Sequence, residues 1–136
     1  MKEIDRRSDC PISSSLDIFG DKWSLLIVRD LMLHQSLSYG DFTKSAEKIA
    51  TNILANRLQV LENNGIIIKF AHPDNKVKRY YKLSPKGIDL IPALIEIALW
   101  GEKHLAKNDE YIQFLVQVKK NKTKFLKEIT ESLLQE

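Results

Sequence analysis

Apolar residues recur at three- and four-residue spacings over most of the chain, broken once by a pair of short β-branched runs. The first spacing marks half-buried helices and the second marks strands. A first helix is predicted from Pro11, whose fixed φ suits a first turn, through Leu16 and Ile18 to a stop at Gly20. Asp21 then caps a second helix over Lys22–His34, with Trp23, Leu26, Ile27, Leu31 and Leu33 on its apolar side. Ser38 caps a short third helix that turns Tyr39 and Phe42 inward, and a fourth runs from Thr51 to Asn64. Leu54, Leu58 and Leu61 share one face of that fourth helix, and Gly65 supplies its left-handed terminator. The period changes at Ile66–Phe70, and turn residues Pro73-Asp74-Asn75 lead into a returning run, Val77–Leu83. These make a hairpin over 66–83. Ser84-Pro85 restarts helix as far as about Lys107, with a kink expected at Pro92. A last helix, capped by Asn108 or Asp109, continues to the C-terminus.

The predicted fold is mainly α with a small β-hairpin. Consecutive helices joined by a tight turn and followed by a hairpin form a winged helix-turn-helix, here with C-terminal dimerisation helices. At 136 residues the chain reads as a single domain over 1–136, with a core at about 10–104 and a helical extension at about 109–136. Tyr111, Leu115, Val118, Lys122, Phe125 and Ile129 of that extension alternate by four and three, a heptad seam broken at Lys122. Together with Leu90, Ile91, Leu94 and Ile95 the seam is expected to cross a subunit interface, and the alternative is packing within one subunit.

Composition narrows the function classes. Hydrophobic residues at 43% and charged residues at 29% exclude a disordered tail, and no apolar run reaches the roughly 18 residues that span a bilayer. A charged N-terminus without an apolar stretch, and one cysteine, point to a cytoplasmic protein without membrane partners. His34, His72 and His104 form no metal-ligand spacing, and neither a nucleophile elbow nor a Gly-rich phosphate loop occurs. No metal, cofactor or enzymatic activity is expected. Trp23 and Trp100 are assigned to core or interface.

The formal charge of +3 is uninformative until its distribution is considered. Between Asn63 and Lys86 lie six basic residues, Lys69, Lys76, Lys78, Arg79, Lys82 and Lys86, and one acid, Asp74. That segment carries +5 and the remainder −2. A hairpin so charged attracts phosphates and releases counterions on binding, although a charge run alone also describes a solvated face. The preceding helix decides for nucleic acid. Opposite its leucines it presents Thr51, Asn52, Ala55, Asn56 and Gln59, short residues without an acid, and Arg57 lies beside them. Asn and Gln can bond an adenine edge in the major groove, and Arg57 can reach a phosphate or a guanine. Lys76, Lys78 and Arg79 are the candidate backbone contacts. A winged-helix module that binds an acidic protein through the hairpin is the alternative.

These residues carry a family resemblance. Cys10-Pro11, the run from Gly20-Asp21-Lys22-Trp23-Ser24 to Asp30-Leu31, Ile49, Leu54-Ala55-Asn56-Arg57-Leu58 to Asn64-Gly65, Tyr81–Gly87 and Trp100-Gly101 together resemble the HxlR family of bacterial winged-helix regulators, relatives of the MarR type. The resemblance implies a homodimer on double-stranded DNA at a near-palindromic operator, with helix 51–64 in the major groove and the hairpin along the backbone or minor groove. A sequence-specific transcriptional repressor is the function expected. Three departures stand out: Ala50 replaces the usual capping serine, Tyr80 replaces an acid, and 109–136 extends past the common core.

Cys10 is a further candidate. Before Pro11 it could cap the first helix, where a helix N-terminus with Arg6 and Arg7 favours a thiolate and Asp9 opposes it. Its residues alone favour an inert, small buried cysteine held by packing. The family resemblance adds the expectation of a redox sensor for an oxidant or small-molecule electrophile.

Overall fold

The computed structural model describes residues 7–105 and 109–135, the side chains of 109–112 excepted. The chain divides into two compact units, 1–87 and 88–136.

The first unit contains α1 (Pro11–Phe19), α2 (Ser24–His34), β1 (Leu37–Ser38), α3 (Tyr39–Phe42), α4 (Thr51–Asn63), β2 (Ile67–His72) and β3 (Asn75–Leu83), and the boundary falls within the short α5 (Pro85–Ile88). Helix α1 stops where expected, with the Gly20 N–H donating to the Leu16 carbonyl. Gly20 is needed there for close approach rather than for a left-handed turn. Its φ is −77°, and an added Cβ would collide with that carbonyl oxygen. Helix α2 begins two residues later than predicted. Asp21 nevertheless supplies its cap: Oδ2 accepts from the Trp23 and Ser24 N–H groups at 2.9 and 3.0 Å.

Ser38 and Asp41 form a reciprocal capping box at the start of α3. Phe42 is buried as predicted, but Tyr39 is 37% exposed, because its hydroxyl reaches out to donate to the Thr51 carbonyl at 2.9 Å. The core of the unit is made by Ile27, Val28, Leu31 and Met32 of α2, Leu54, Leu58 and Leu61 of α4, and Ile67, Tyr81 and Leu83 of the sheet. Phe42 meets the Tyr81 ring edge-on.

The hairpin is the predicted one, lengthened to His72 and Asn75 around a Pro73-Asp74 turn. A third strand went unpredicted. β1 pairs antiparallel with β3, Leu37 opposite Tyr81 and Ser38 opposite Tyr80, giving the order β1-β3-β2. Two residues carry no period, so the sequence could not disclose it.

The second unit holds α6 (Ile91–His104), α7 (Asp109–Lys120) and α8 (Lys122–Leu134). Two expectations are corrected here. Pro92 does not kink a long helix: α5 ends at Ile88 and α6 opens at Ile91, with Pro92 in its first turn, where a missing N–H costs nothing. The final helix is two helices. Asn121 breaks it with φ −163° and ψ 93°, and its side chain accepts from the Lys124 N–H to cap α8. The chain folds back far enough that Phe114 and Phe125 stack at 6.2 Å, so the heptad spacing across Lys122 is not one continuous seam. Ile91, Ile95, Leu115 and Val118 are at most 2% exposed within the single chain, which makes them core rather than an open face for a partner. The side chain of Tyr111, also assigned to that seam, lies outside the described residues. Trp100, by contrast, is 58% exposed and is no core residue.

Candidate nucleic-acid interface

Helix α4 is fixed by its apolar face and clamped at its sides. Its N-cap is Ala50, which offers no side-chain hydrogen bond, and Thr51 does not replace the missing serine. The compensation comes from elsewhere in the fold. Arg57 donates to Asp21 Oδ1 at 3.2 Å, tying the middle of α4 to the start of α2 across 36 positions of sequence. The same Oδ1 accepts from the buried Ser24 hydroxyl at 2.6 Å. Burial pushes the Asp21 carboxyl up, but the Ser24 hydroxyl, the Trp23 and Ser24 N–H groups and the Arg57 charge together hold it below its usual value. The Arg57 guanidinium also donates to Asn56 Oδ1 at 2.7 and 3.1 Å. Arg57, read from sequence as a DNA contact, is thus a half-buried strut in this structure.

The C-terminal end of α4 is equally determined. Gly65 takes φ 72°, the left-handed conformation that favours glycine. Lys86 reaches back to the Asn64 carbonyl at 2.9 Å, a cation on the negative end of the helix. Lys69 lies 3.8 Å from Glu62 of α4. These two lysines of the basic segment therefore serve the helix rather than the hairpin tip. Thr51, Asn52, Ala55, Asn56 and Gln59 all emerge on the exposed side, as the spacing predicts. Gln59 donates to Asn63 Oδ1 at 2.8 Å.

The hairpin carries its charge at the tip. Lys76, Lys78 and Arg79 are all exposed. Pairing runs regularly from Ile67–Leu83 to Ala71–Arg79, then passes directly to His72–Asn75. Lys76, Val77 and Lys78 are left without cross-strand partners, in a bulge. Internal bonds hold this bulge: Asn75 Oδ1 accepts from the Val77 and Lys78 N–H groups, each at 3.2 Å, and Arg79 donates to the Lys76 carbonyl. The turn is braced by the Asp74 N–H donating to His72 Nδ1 at 3.1 Å. On the outer sheet face Tyr80, standing where an acid was the familiar residue, packs against Phe70 and His72, with the Lys78 ammonium 5.6 Å from its ring centre.

Cys10 is exposed and sits at the N-cap of α1, but its side chain makes no capping bond. Arg7 pairs with Asp17 and reaches Ser13. Arg6 lies outside the described residues.

Two ionic features gave no signal in the sequence. Arg29 donates to both carboxylate oxygens of Glu47, at 2.8 and 2.9 Å, and to its neighbour Asp30. Hydrogen bonding from Arg29 lowers the Glu47 carboxyl to about 2, while burial pushes that of Asp30 up. No three- or four-residue pattern links Glu47, in a loop, to the middle of α2. The Asp21–Arg57 pair was hidden for the same reason.

Among the described residues no helix is long and apolar enough to cross a membrane, and no cluster of metal-ligating side chains occurs.

Comparison with known proteins agrees with this geometry. The HxlR-like helix-turn-helix model matches residues 18–109, more than half of the chain. The HTH-type transcriptional regulator YdeP of Bacillus subtilis is 31% identical over 111 residues, covering 79% of this chain and 86% of its own. YodB, an HTH-type transcriptional regulator of the same organism, is 30% identical over 101 residues, 74% of this chain and 89% of YodB. The crystal structure of PA1607 superposes with a TM-score of 0.67 at 37% identity, over 76% of this chain and 70% of PA1607.

Proposed function

The chain belongs to the HxlR-like helix-turn-helix family of DNA-binding transcriptional regulators, and from that premise we propose that it is a homodimeric repressor reading a near-palindromic operator with α4. The observation that carries the reading is the exposed, acid-free row Thr51, Asn52, Ala55, Asn56 and Gln59 on a helix whose other face is wholly core. In this reading the row enters the major groove. The wing tip, with Lys76, Lys78 and Arg79, lies against the backbone and the adjoining minor groove. With Asn56 Oδ1 already accepting from Arg57, the side chain meets DNA through its amide donors. That favours acceptors such as purine N7 or thymine O4 over a two-bond grip on adenine.

The dimer proposed here uses apolar residues of the second unit that the single chain leaves exposed: Ile97 and Trp100 of α6, Val116 of α7 and Leu134 of α8. Cys10, open to solvent at a helix start, is proposed as the point where an oxidant or electrophile acts. YodB, a relative, has been crystallised with a quinone bound and after diamide treatment.

The test is duplex selection from random sequence followed by anisotropy titration against the selected site. A two-fold symmetric site with half-sites about one helical turn apart supports the proposal. Asn56→Ala should relax preference at one base pair per half-site, by on the order of 1–3 kcal/mol. Binding that is indifferent to salt and sequence refutes it. For Cys10, peroxide or quinone should lower operator affinity in the parent and leave Cys10→Ser unaffected.

A further inference from the structure

The wing tip combines three things a general phosphate contact does not need. Its central residue is apolar: Val77 is 91% exposed, more than any other large hydrophobic residue described. It stands between two lysines in a segment with no cross-strand partners. That segment is nonetheless ordered by its own bonds, since Asn75 ties the Val77 and Lys78 N–H groups and Arg79 ties the Lys76 carbonyl.

We propose that Val77 is a specificity-determining residue that selects A·T pairs in the minor groove beside each half-site. The inference rests on the proposed placement of the wing and adds to it the base that is read. The two edges of a minor groove are phosphate rows, which suit the flanking ammonium groups of Lys76 and Lys78. Its floor differs between base pairs chiefly in the 2-amino group of guanine. An isopropyl group pressed onto an A·T floor meets no donor. Over G·C it strips water from that amino group and offers no acceptor in return, and an unsatisfied buried donor is costly. Discrimination on the order of tenfold per wing is the expected size.

The experiment separates the 2-amino group from every other property of the base pair. Each position flanking the selected half-site is filled in turn with A·T, G·C, inosine·C or diaminopurine·T. Inosine keeps the major-groove edge of guanine without the amino group, and diaminopurine adds the amino group to adenine. At the wing position the parent should bind inosine·C as it binds A·T, and diaminopurine·T as it binds G·C. Val77→Ser, at a site with no core contacts, supplies an oxygen that accepts from the amino group, and should bring the four duplexes within about twofold. Asn56→Ala should leave the pattern intact, because it acts in the other groove. Indifference of the parent to the 2-amino group at every flanking position overturns the inference, as does unchanged discrimination in Val77→Ser. Failure to bind any duplex removes the operator-reading proposal and this inference together, whereas selective binding without amino-group discrimination removes this one alone.

Discussion

At the scale of single residues, two arginines do work that the sequence could not disclose. The outward residues of α4 were legible, because Leu54, Leu58 and Leu61 fix its rotation and leave Asn52, Asn56 and Gln59 outward. Arg57 was not, since its partner Asp21 lies in another element and helical periodicity says nothing about distant pairs. Asp21→Ala should cost about 1–2 kcal/mol in urea unfolding, from the lost cap and the freed guanidinium together. If Arg57 is a strut, a double-mutant cycle of Asp21→Ala with Arg57→Ala will show coupling well above experimental error. The pair of Arg29 with Glu47 sets a pH dependence. Folded Glu47 titrates near 2, below its ordinary 4.5, so its stabilisation is complete above about 4.5 and is lost as pH falls towards 2. Glu47→Gln should flatten stability against pH across that window while costing about 1 kcal/mol at neutral pH. A parallel acid limb in parent and variant would show that the bond is not made in solution.

Among elements, caps and breaks decided where expectation and structure agree. Helix α1, the α4–wing junction and the hairpin were legible because proline, Gly65 and the Pro73-Asp74 turn each enforce a particular backbone geometry. The C-terminal region was not, because an apolar spacing that continues through Lys122 looks unbroken although the backbone turns at Asn121. Asn121→Ala removes the α8 cap and should cost about 1 kcal/mol, whereas a continuous helix would gain from alanine there. The sign of the stability change in urea therefore reports the break directly. Ser84 is the corresponding joint after the wing. Its hydroxyl accepts from the Gly87 N–H at 3.0 Å and donates to the Gly65 carbonyl, so Ser84→Ala should destabilise by about 1–2 kcal/mol.

For the whole molecule the expectations concern assembly and charge. Of the positions assigned to a subunit seam on spacing, Ile91, Leu94, Ile95, Leu115 and Val118 are covered within one chain, whereas Leu90, Phe125 and Ile129 stay half-exposed. Burial depends on which elements meet, and spacing carries no such information. Trp100→Asp, at an exposed site, should shift the proposed dimer towards monomer in sedimentation and weaken operator binding, with the helical content unchanged. Lys76→Ala and Lys78→Ala should each lower affinity for all duplexes alike and reduce the salt slope by about one. They are cleaner probes than Arg79→Ala, which also loosens the bulge through its bond to the Lys76 carbonyl.

The division of α4 into a leucine face and an exposed polar face has an evolutionary consequence. Thr51, Asn52, Ala55, Asn56 and Gln59 are all exposed, so none is needed to fill the core. After gene duplication one copy could exchange those five side chains at little thermodynamic risk, because surface substitutions usually shift stability by less than about 0.5 kcal/mol. The descendants would keep a common scaffold and diverge in what the helix recognises, with new specificity arising faster than new architecture.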